Sequence, residues 1–116
     1  MLTRLRDDLK TAMKSRDRLA VSVLRSALAA IANAEAVGVT ETVASHGSEH
    51  VAGAALGVGA AEAERRRLTE ADIRGIVAAE VAERTTAADE YDKHDRPDDA
   101  RKLRAEAEVL GRYLSA

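Results

Sequence analysis

Apolar residues recur at helical spacing over most of this chain of 116 residues, and this periodicity most constrains its fold. Residues three or four positions apart lie on one side of an α-helix, so the pattern marks a face that needs burial. It occurs in four segments, residues 2–14, 18–36, 69–96 and about 97–114. The sequence therefore predicts an all-α protein built from four amphipathic helices.

The core of such a protein must be filled almost entirely by aliphatic side chains. The chain has no Phe and no Trp, and Tyr91 and Tyr113 are its aromatic residues. Leu, Val, Ile and many Ala residues remain, and small Ala side chains let helices approach toward the ~8 Å end of the usual interaxial range. Ala, Leu, Glu, Arg and Lys also favour helix formation, which agrees with the periodicity.

Each predicted helix carries one apolar stripe that it cannot bury alone. The predicted core positions are Leu2, Leu5, Leu9, Ala12 and Met13; Ala20, Leu24, Ala27, Leu28 and Ile31; Ile73, Ile76 or Val77, Val81, Ala88 and Tyr91; and Ala100, Leu103, Ala107, Leu110 and Leu114. We expect two antiparallel helical hairpins, residues 1–37 and 69–116. Their apolar faces should pack together as a small four-helix bundle in one domain.

Several residues indicate where these helices begin and end. Gly38 is a plausible terminator of the second helix, because glycine favours helix C-termini. Thr69 and Asp72 have the spacing of a capping box, which predicts a helix start. Pro97 suits the first turn of the last helix. Gly75 would cost ~1 kcal/mol relative to Ala inside a helix, so it suggests a close helix contact.

Residues 38–68 lose the apolar period and are interrupted by glycines, which predicts a long flexible insertion. Within it, His46 and His50 are four residues apart with Glu49 beside them, a spacing that could offer metal ligands on a helix. The nearby glycines favour a solvated loop, so we predict no metal site. The glycine-rich run at 53–59 lacks the Lys-Ser/Thr of a phosphate loop, and we interpret it as a linker.

The net charge of −2 conceals an asymmetry between the two ends of the chain. Residues 1–25 hold seven basic and three acidic residues, whereas residues 69–116 hold eight basic and twelve acidic ones. The basic end could meet an anionic partner such as RNA. It could equally complement the acidic half of the same chain.

The candidate RNA-binding residues are five basic side chains around the junction of the first two predicted helices. They are Lys10, Lys14, Arg16, Arg18 and Arg25. Clustered Lys and Arg at a helix junction can contact phosphates without reading base sequence. No aromatic residue is interspersed among them, which argues against base stacking on a single strand. A merely solvated charged face is the alternative interpretation.

Acidic residues on the last two helices alternate with basic ones at the spacing of solvated helix ion pairs. These pairs are Glu70–Arg74, Glu80–Arg84, Asp98–Lys102 and Arg104–Glu108. No arrangement of nucleophile and base is evident. We therefore predict no catalytic residues and no cofactor.

The absence of cysteine excludes disulfides and thiolate chemistry and fits a reducing compartment. Met1 leads directly into a charged amphipathic segment, so no signal peptide is visible. The longest weakly polar run, residues 51–61, is far shorter than the ~20 apolar residues of a membrane-spanning helix. We expect a cytoplasmic protein without a membrane partner.

Two stretches of the chain resemble the GatB/YqeY family. The first comprises Asp8-Leu9-Lys10-x-Ala12-Met13-Lys14-x-Arg16-Asp17, Val23-Leu24-Arg25 and Ala30-Ile31-x-Asn33-x-Glu35. The second comprises Leu68-Thr69-Glu70-Ala71-Asp72-Ile73 and Leu110-Gly111-Arg112-Tyr113-Leu114. Together they cover most of the chain except its middle.

This resemblance implies a relationship to the helical tail of the B subunit of the tRNA-dependent amidotransferase. That enzyme is a carbon–nitrogen ligase that amidates glutamyl- or aspartyl-tRNA with glutamine as the amido donor, and its tail helps to hold tRNA. The resemblance thus implies a YqeY-like helical module without catalysis of its own, with tRNA or amidotransferase subunits as partners. The residues alone leave open a helical protein–protein interaction module with no RNA role.

Overall fold

The computed structural model describes residues 1–47 and 67–115, and in these residues the chain forms helices and no strand. The elements are α1 (Leu2–Ser15), α2 (Arg18–Gly47), α3 (Glu70–Lys93) and α4 (Pro97–Gly111). α1 packs against α2, α3 packs most extensively against α4, and α2 also contacts α3 and α4. The predicted all-α bundle of two helical hairpins is confirmed.

The end of α2 differs from the prediction. Gly38 was expected to terminate this helix, but the helix continues through it to Gly47. A glycine inside a helix costs only ~1 kcal/mol relative to Ala, and it ends a helix only where the backbone turns left-handed. His46 therefore lies in the last turn of α2. Residues 48–66 of the predicted insertion, which include Glu49, His50 and the run at 53–59, lie outside the described residues.

The turn between α1 and α2 is held by backbone hydrogen bonds around Arg16, which adopts a left-handed φ of 59°. The Arg16 N–H donates to the Met13 carbonyl (3.3 Å), and the Asp17 N–H donates to the Ala12 carbonyl (2.9 Å). The Asp17 carboxylate then accepts a hydrogen bond from the Ala20 N–H (3.1 Å) and caps the start of α2. These three hydrogen bonds hold the short turn that joins the two helices.

The start of α3 has the predicted capping box. The Thr69 hydroxyl accepts from the Asp72 N–H (3.0 Å), and the Asp72 carboxylate accepts from the Thr69 N–H (2.9 Å). Pro97 is the first residue of α4, as predicted. Between these helices Asp95 takes a left-handed φ of 58°, and the Arg96 N–H donates to the Tyr91 carbonyl at 2.9 Å. Local backbone chemistry thus sets the start of this hairpin and the turn between its two helices.

α2 supplies the centre of the core with Val23, Leu24, Ala27 and Ile31, all at most 2% exposed. The other buried apolar residues are Leu5, Ala12, Ile73, Val77, Ala88, Ala100, Ala107, Leu110 and Tyr113. These belong to the predicted stripes, apart from Val23, predicted to widen the apolar face of α2, and Tyr113, just beyond α4. Met13 does not follow the prediction, because its side chain is 50% exposed. It lies about 100° around α1 from the buried Ala12, which carries it off the contact face.

A half-buried polar network joins α2, α3 and α4. Arg84 pairs with Glu80 and with Glu106, both at 3.2 Å, and the three side chains are only 12–15% exposed. Ser26 of α2 donates to Glu80 (3.0 Å) and accepts from Arg84 (3.1 Å). The Glu80–Arg84 pair was expected to be a solvated helix pair, and that expectation is wrong. α2 and α4 cover it, a non-local effect that spacing along one helix does not reveal.

The other three predicted ion pairs give way to contacts with different partners. The guanidinium group of Arg104 on α4 pairs with carboxylates of α3 and not with Glu108 on its own helix. The observed contacts are Arg104 with Asp89 (3.0 Å) and Asp92 (2.6 Å), Arg101 with Asp98 (2.9 Å), Glu70 with the Met1 ammonium (3.2 Å), and Arg74 with the Leu114 carbonyl. Contacts between helices thus displace much of the predicted pattern.

One stretch of α2, Arg18–Val37, is long and apolar enough by length and composition to cross a membrane. A core helix of a water-soluble bundle passes the same test. This stretch also supplies Val23, Leu24, Ala27 and Ile31 to the core, where they are covered by other helices. Burial in the bundle covers 22% of this stretch and accounts for that part of its apolar character.

We expect Leu24→Asp to unfold the protein or to lower its melting temperature severely. Leu24 is 1% exposed, and an unpaired carboxylate at such a site is costly. Leu28→Asp, at a half-buried position one turn further along α2, should be less damaging. Ala29→Asp, at an exposed position, is the control for the loss of helix propensity. A melting temperature for Leu24→Asp within a few degrees of the parent would contradict the core placement.

Gly75→Ala should raise the free energy of unfolding by up to ~1 kcal/mol, because Ala favours helix interiors over Gly. The predicted close helix contact at Gly75 is wrong, since no atom lies within 4 Å of a Cβ added there. Chemical denaturation measures the change. Gly111→Ala has equally open space but lies at the last residue of α4, so its gain should be smaller. An unchanged or lower stability of Gly75→Ala would refute this account.

Arg84→Met should destabilise the protein by about 1–3 kcal/mol, because Glu80 and Glu106 would then face each other without their shared partner. Met retains most of the apolar stem while removing the guanidinium group. Arg101→Met is the matched control, since the side chains of its ion pair are 77% and 91% exposed. Its effect should stay within about 0.5 kcal/mol. Equal effects of the two substitutions in urea denaturation would show that the network contributes nothing particular.

Candidate nucleic-acid interface

Three of the five predicted RNA-binding residues line one concavity at the corner between α1 and α2. Arg16, Arg18 and Arg25 surround it, and Val21 and Ser22 complete its lining. Its volume is about 420 Å³, and it opens to solvent. We call this surface the basic corner. Its dimensions fall within the ~300–1,000 Å³ of small-ligand sites, although its lining is charged rather than apolar.

The sequence places these side chains together through helix geometry. Arg18, Ser22 and Arg25 are spaced by one turn each along α2, so they share one side of the helix. Arg16 precedes them in the left-handed cap of α1, which redirects its backbone toward the start of α2. The buried positions of α2, such as Leu24 and Ala27, occupy the opposite side. The basic corner is therefore the outward face of the central core helix.

The three guanidinium groups of the basic corner are exposed and free of protein partners in residues 1–47 and 67–115. Asp17 is the nearest acidic residue in sequence, but its carboxylate already caps the Ala20 N–H. Three uncompensated positive charges around one concavity create a positive local potential. This differs from Arg84, whose charge is neutralised inside the fold.

Lys10 and Lys14 do not belong to this lining. Both are exposed on α1, one turn apart, and within the described ranges neither forms an ion pair. The predicted set of five basic residues therefore divides into three that converge and two on a neighbouring helical surface. The prediction did not include Ser22, although its spacing of four residues from Arg18 would have placed it on the same helical face.

A second cleft of about 300 Å³ lies where α1 meets the turn after α4. There the Tyr113 hydroxyl donates to the Asp8 carboxylate, and the Arg4 guanidinium lies 4.9 Å from the centroid of the Tyr113 ring. Burial, and then the hydrogen bond to Asp8, raise the pKa of Tyr113 above its ordinary value, so its hydroxyl stays protonated. These contacts tie the two ends of the described chain together.

Of the candidate metal ligands, only His46 lies among the described residues. In the part of the chain that the structure describes, no group of three or more His, Asp or Glu side chains is placed to hold a metal ion. Of the histidine pair, His46 lies in the last turn of α2, while His50 falls outside that part. The basic corner consists of guanidinium groups, a hydroxyl and a valine side chain, none of which prefers to bind cations. An anion is therefore the fitting ligand there.

Comparison with known proteins identifies the family of this chain. A family model described as Yqey-like protein matches residues 50–116, which is more than half of the chain. The match includes α3, α4 and the second of the two resembling stretches, whereas the first stretch at 8–35 lies outside it. No curated protein and no solved structure matches this chain. The chain belongs to the family of YqeY-like proteins, as a small helical module of the type found in the tail of the amidotransferase B subunit.

Proposed function

We propose that this protein is a non-catalytic accessory module that contacts tRNA, alone or within the tRNA-dependent amidotransferase complex, through backbone phosphates. The observation that carries this proposal is the convergence of Arg16, Arg18 and Arg25 on one concavity, without an acidic partner among the residues that the structure describes. Among the possible anionic partners, we propose tRNA because of the family relationship. It also connects the module with amidation of glutamyl- or aspartyl-tRNA, whose chemistry belongs to other subunits.

Guanidinium groups suit this role because they form charge-assisted, often bidentate hydrogen bonds with phosphate oxygens. They supply several hydrogen-bond donors and no acceptor, so the basic corner is suited to binding an anion. A site with about three phosphate contacts should bind weakly and without reading base sequence. Non-specific affinities of this kind lie on the order of 10⁻⁴–10⁻⁶ M at physiological salt.

The alternative function is a helical protein–protein interaction module with no RNA role. Two exposed apolar side chains favour it, Met13 on α1 at 50% and Val37 on α2 at 53% exposure. Large apolar side chains left in water can anchor a protein partner. They lie outside the lining of the basic corner, so the two functions predict effects at different residues.

A charge-matched pair of variants tests the proposal. Arg18→Gln/Arg25→Gln removes two charges from the basic corner, and Lys10→Gln/Lys14→Gln removes two charges from the neighbouring face of α1. We expect the corner variant to weaken tRNA binding by roughly a hundredfold or more, because two charge-assisted hydrogen bonds of about 1.5–3 kcal/mol each are lost. Its slope of log affinity against log salt should fall by about two, one for each lost phosphate contact. The lysine variant should change both quantities less.

Circular dichroism should show unchanged helicity for both variants, because all four side chains are exposed. Equal losses in the two variants would indicate a diffuse basic face rather than a defined corner. If the parent protein shows no association with tRNA even at low salt, the RNA function fails for this chain. Binding of a protein partner that is abolished by Met13→Ser or Val37→Ser would then support the interaction module.

A further inference from the structure

No tyrosine is available for stacking at the basic corner. The chain contains only Tyr91 and Tyr113 and has no Phe or Trp. Tyr113 is 6% exposed and covered by Arg4, while the Tyr91 ring lies in the other hairpin beneath Arg96, at 5.3 Å. Proteins that bind single strands commonly stack successive bases on aromatic side chains. The basic corner lacks this means of holding unpaired bases.

The backbone of the basic corner is held in one conformation before any ligand arrives. Arg16 is set by the bonded left-handed turn, and Arg18 and Arg25 both belong to the central core helix. Along the axis of α2, Arg18 and Arg25 are about 10 Å apart at the usual rise per residue. A base-paired helix also presents its phosphates at fixed positions, whereas a single strand must be ordered on binding at an entropic cost. A fixed backbone limits where the three exposed arginine side chains can reach, which favours a ligand that is itself preorganised.

Ser22 lies between Arg18 and Arg25 on the same face of α2 and is exposed. Its hydroxyl has no hydrogen-bond partner within the described residues, unlike those of Ser15 and Ser26, which donate to the Ala12 carbonyl and to Glu80. A serine hydroxyl can both donate and accept. Between two phosphate-binding arginines, it can contact a phosphate oxygen of either nucleic acid or a ribose 2′-hydroxyl, which only RNA provides.

We infer that the basic corner selects base-paired, helical RNA over single-stranded RNA, and that Ser22 distinguishes RNA from DNA through the 2′-hydroxyl. This inference rests on the proposed function, since it specifies which part of an RNA the corner contacts. Arg16, Arg18 and Arg25 bind phosphates of either nucleic acid. Ser22 adds a contact that only a ribose backbone provides.

Three nucleic acids test the inference at one fixed low salt concentration. They are an RNA duplex, the DNA duplex of the same sequence, and an unstructured single-stranded RNA with the same number of phosphates. The RNA duplex should bind at least about fivefold more tightly than the DNA duplex, which is the effect of one net hydrogen bond. It should also bind more tightly than the single-stranded RNA, which carries the same 2′-hydroxyls but must be ordered on binding. Ser22→Ala should remove about this factor for the RNA duplex and leave the DNA duplex unchanged. Arg18→Gln should weaken binding of both duplexes.

Ser115→Ala is the matched control, because Ser115 is exposed and lies outside the basic corner. Ser22→Ala should keep the fold intact, since Ala is the stronger helix former. Two outcomes would overturn the inference and spare the proposed function: single-stranded RNA binding as tightly as the RNA duplex, or Ser22→Ala weakening RNA and DNA duplexes alike. Absence of binding to all three probes and to tRNA would overturn the proposed function as well.

Discussion

Burial of the aliphatic stripe of α2 is the interaction on which the rest of this structure depends. The contacts with the other helices come from Val23, Leu24, Ala27 and Ile31. Tyr113 is the one aromatic side chain among the buried residues that the structure describes. The hydrophobic effect scales with apolar area, so a core of small side chains must bring its helices close together. Fully buried alanines make this possible on three helices, namely Ala27, Ala88 and Ala100. Close packing of the helices thus compensates for the lack of large aromatic side chains in this core.

The sequence predicted those features that depend on neighbouring residues. The helical periodicity gave the four helices, and the spacing of Thr69 and Asp72 gave a capping box whose hydrogen bonds are both present. The features that depend on tertiary neighbours were not predictable in the same way. Gly75 was expected at a helix contact and instead faces open space. Arg84 was expected in solvent, yet it links three helices, because only the fold brings Ser26 and Glu106 to it.

The candidate site shows the same division between local and tertiary information. Composition and spacing pointed to all three arginines of the basic corner, because clustered charge is visible in a sequence. They did not show that Lys10 and Lys14 lie on a different surface from these arginines, because the left-handed turn at Arg16 determines which side chains meet. Ser22 carried no signal of its own, because serine is common on exposed helix faces. Its position between two arginines becomes meaningful only once the concavity is known.

α2 serves the core and the candidate site through opposite faces. Leu24 and Ala27 point inward, while Arg18, Ser22 and Arg25 line the outer concavity. Because the helical repeat is 3.6 residues, both sets can be specified within one short segment without competing for positions. The cap at Asp17 and the packing of the inner face fix the position and direction of the helix, and with them the spacing of the outer side chains. The packing of the core thus fixes the backbone positions from which the exposed arginines of the basic corner extend, and these positions determine which part of the surface carries their charge.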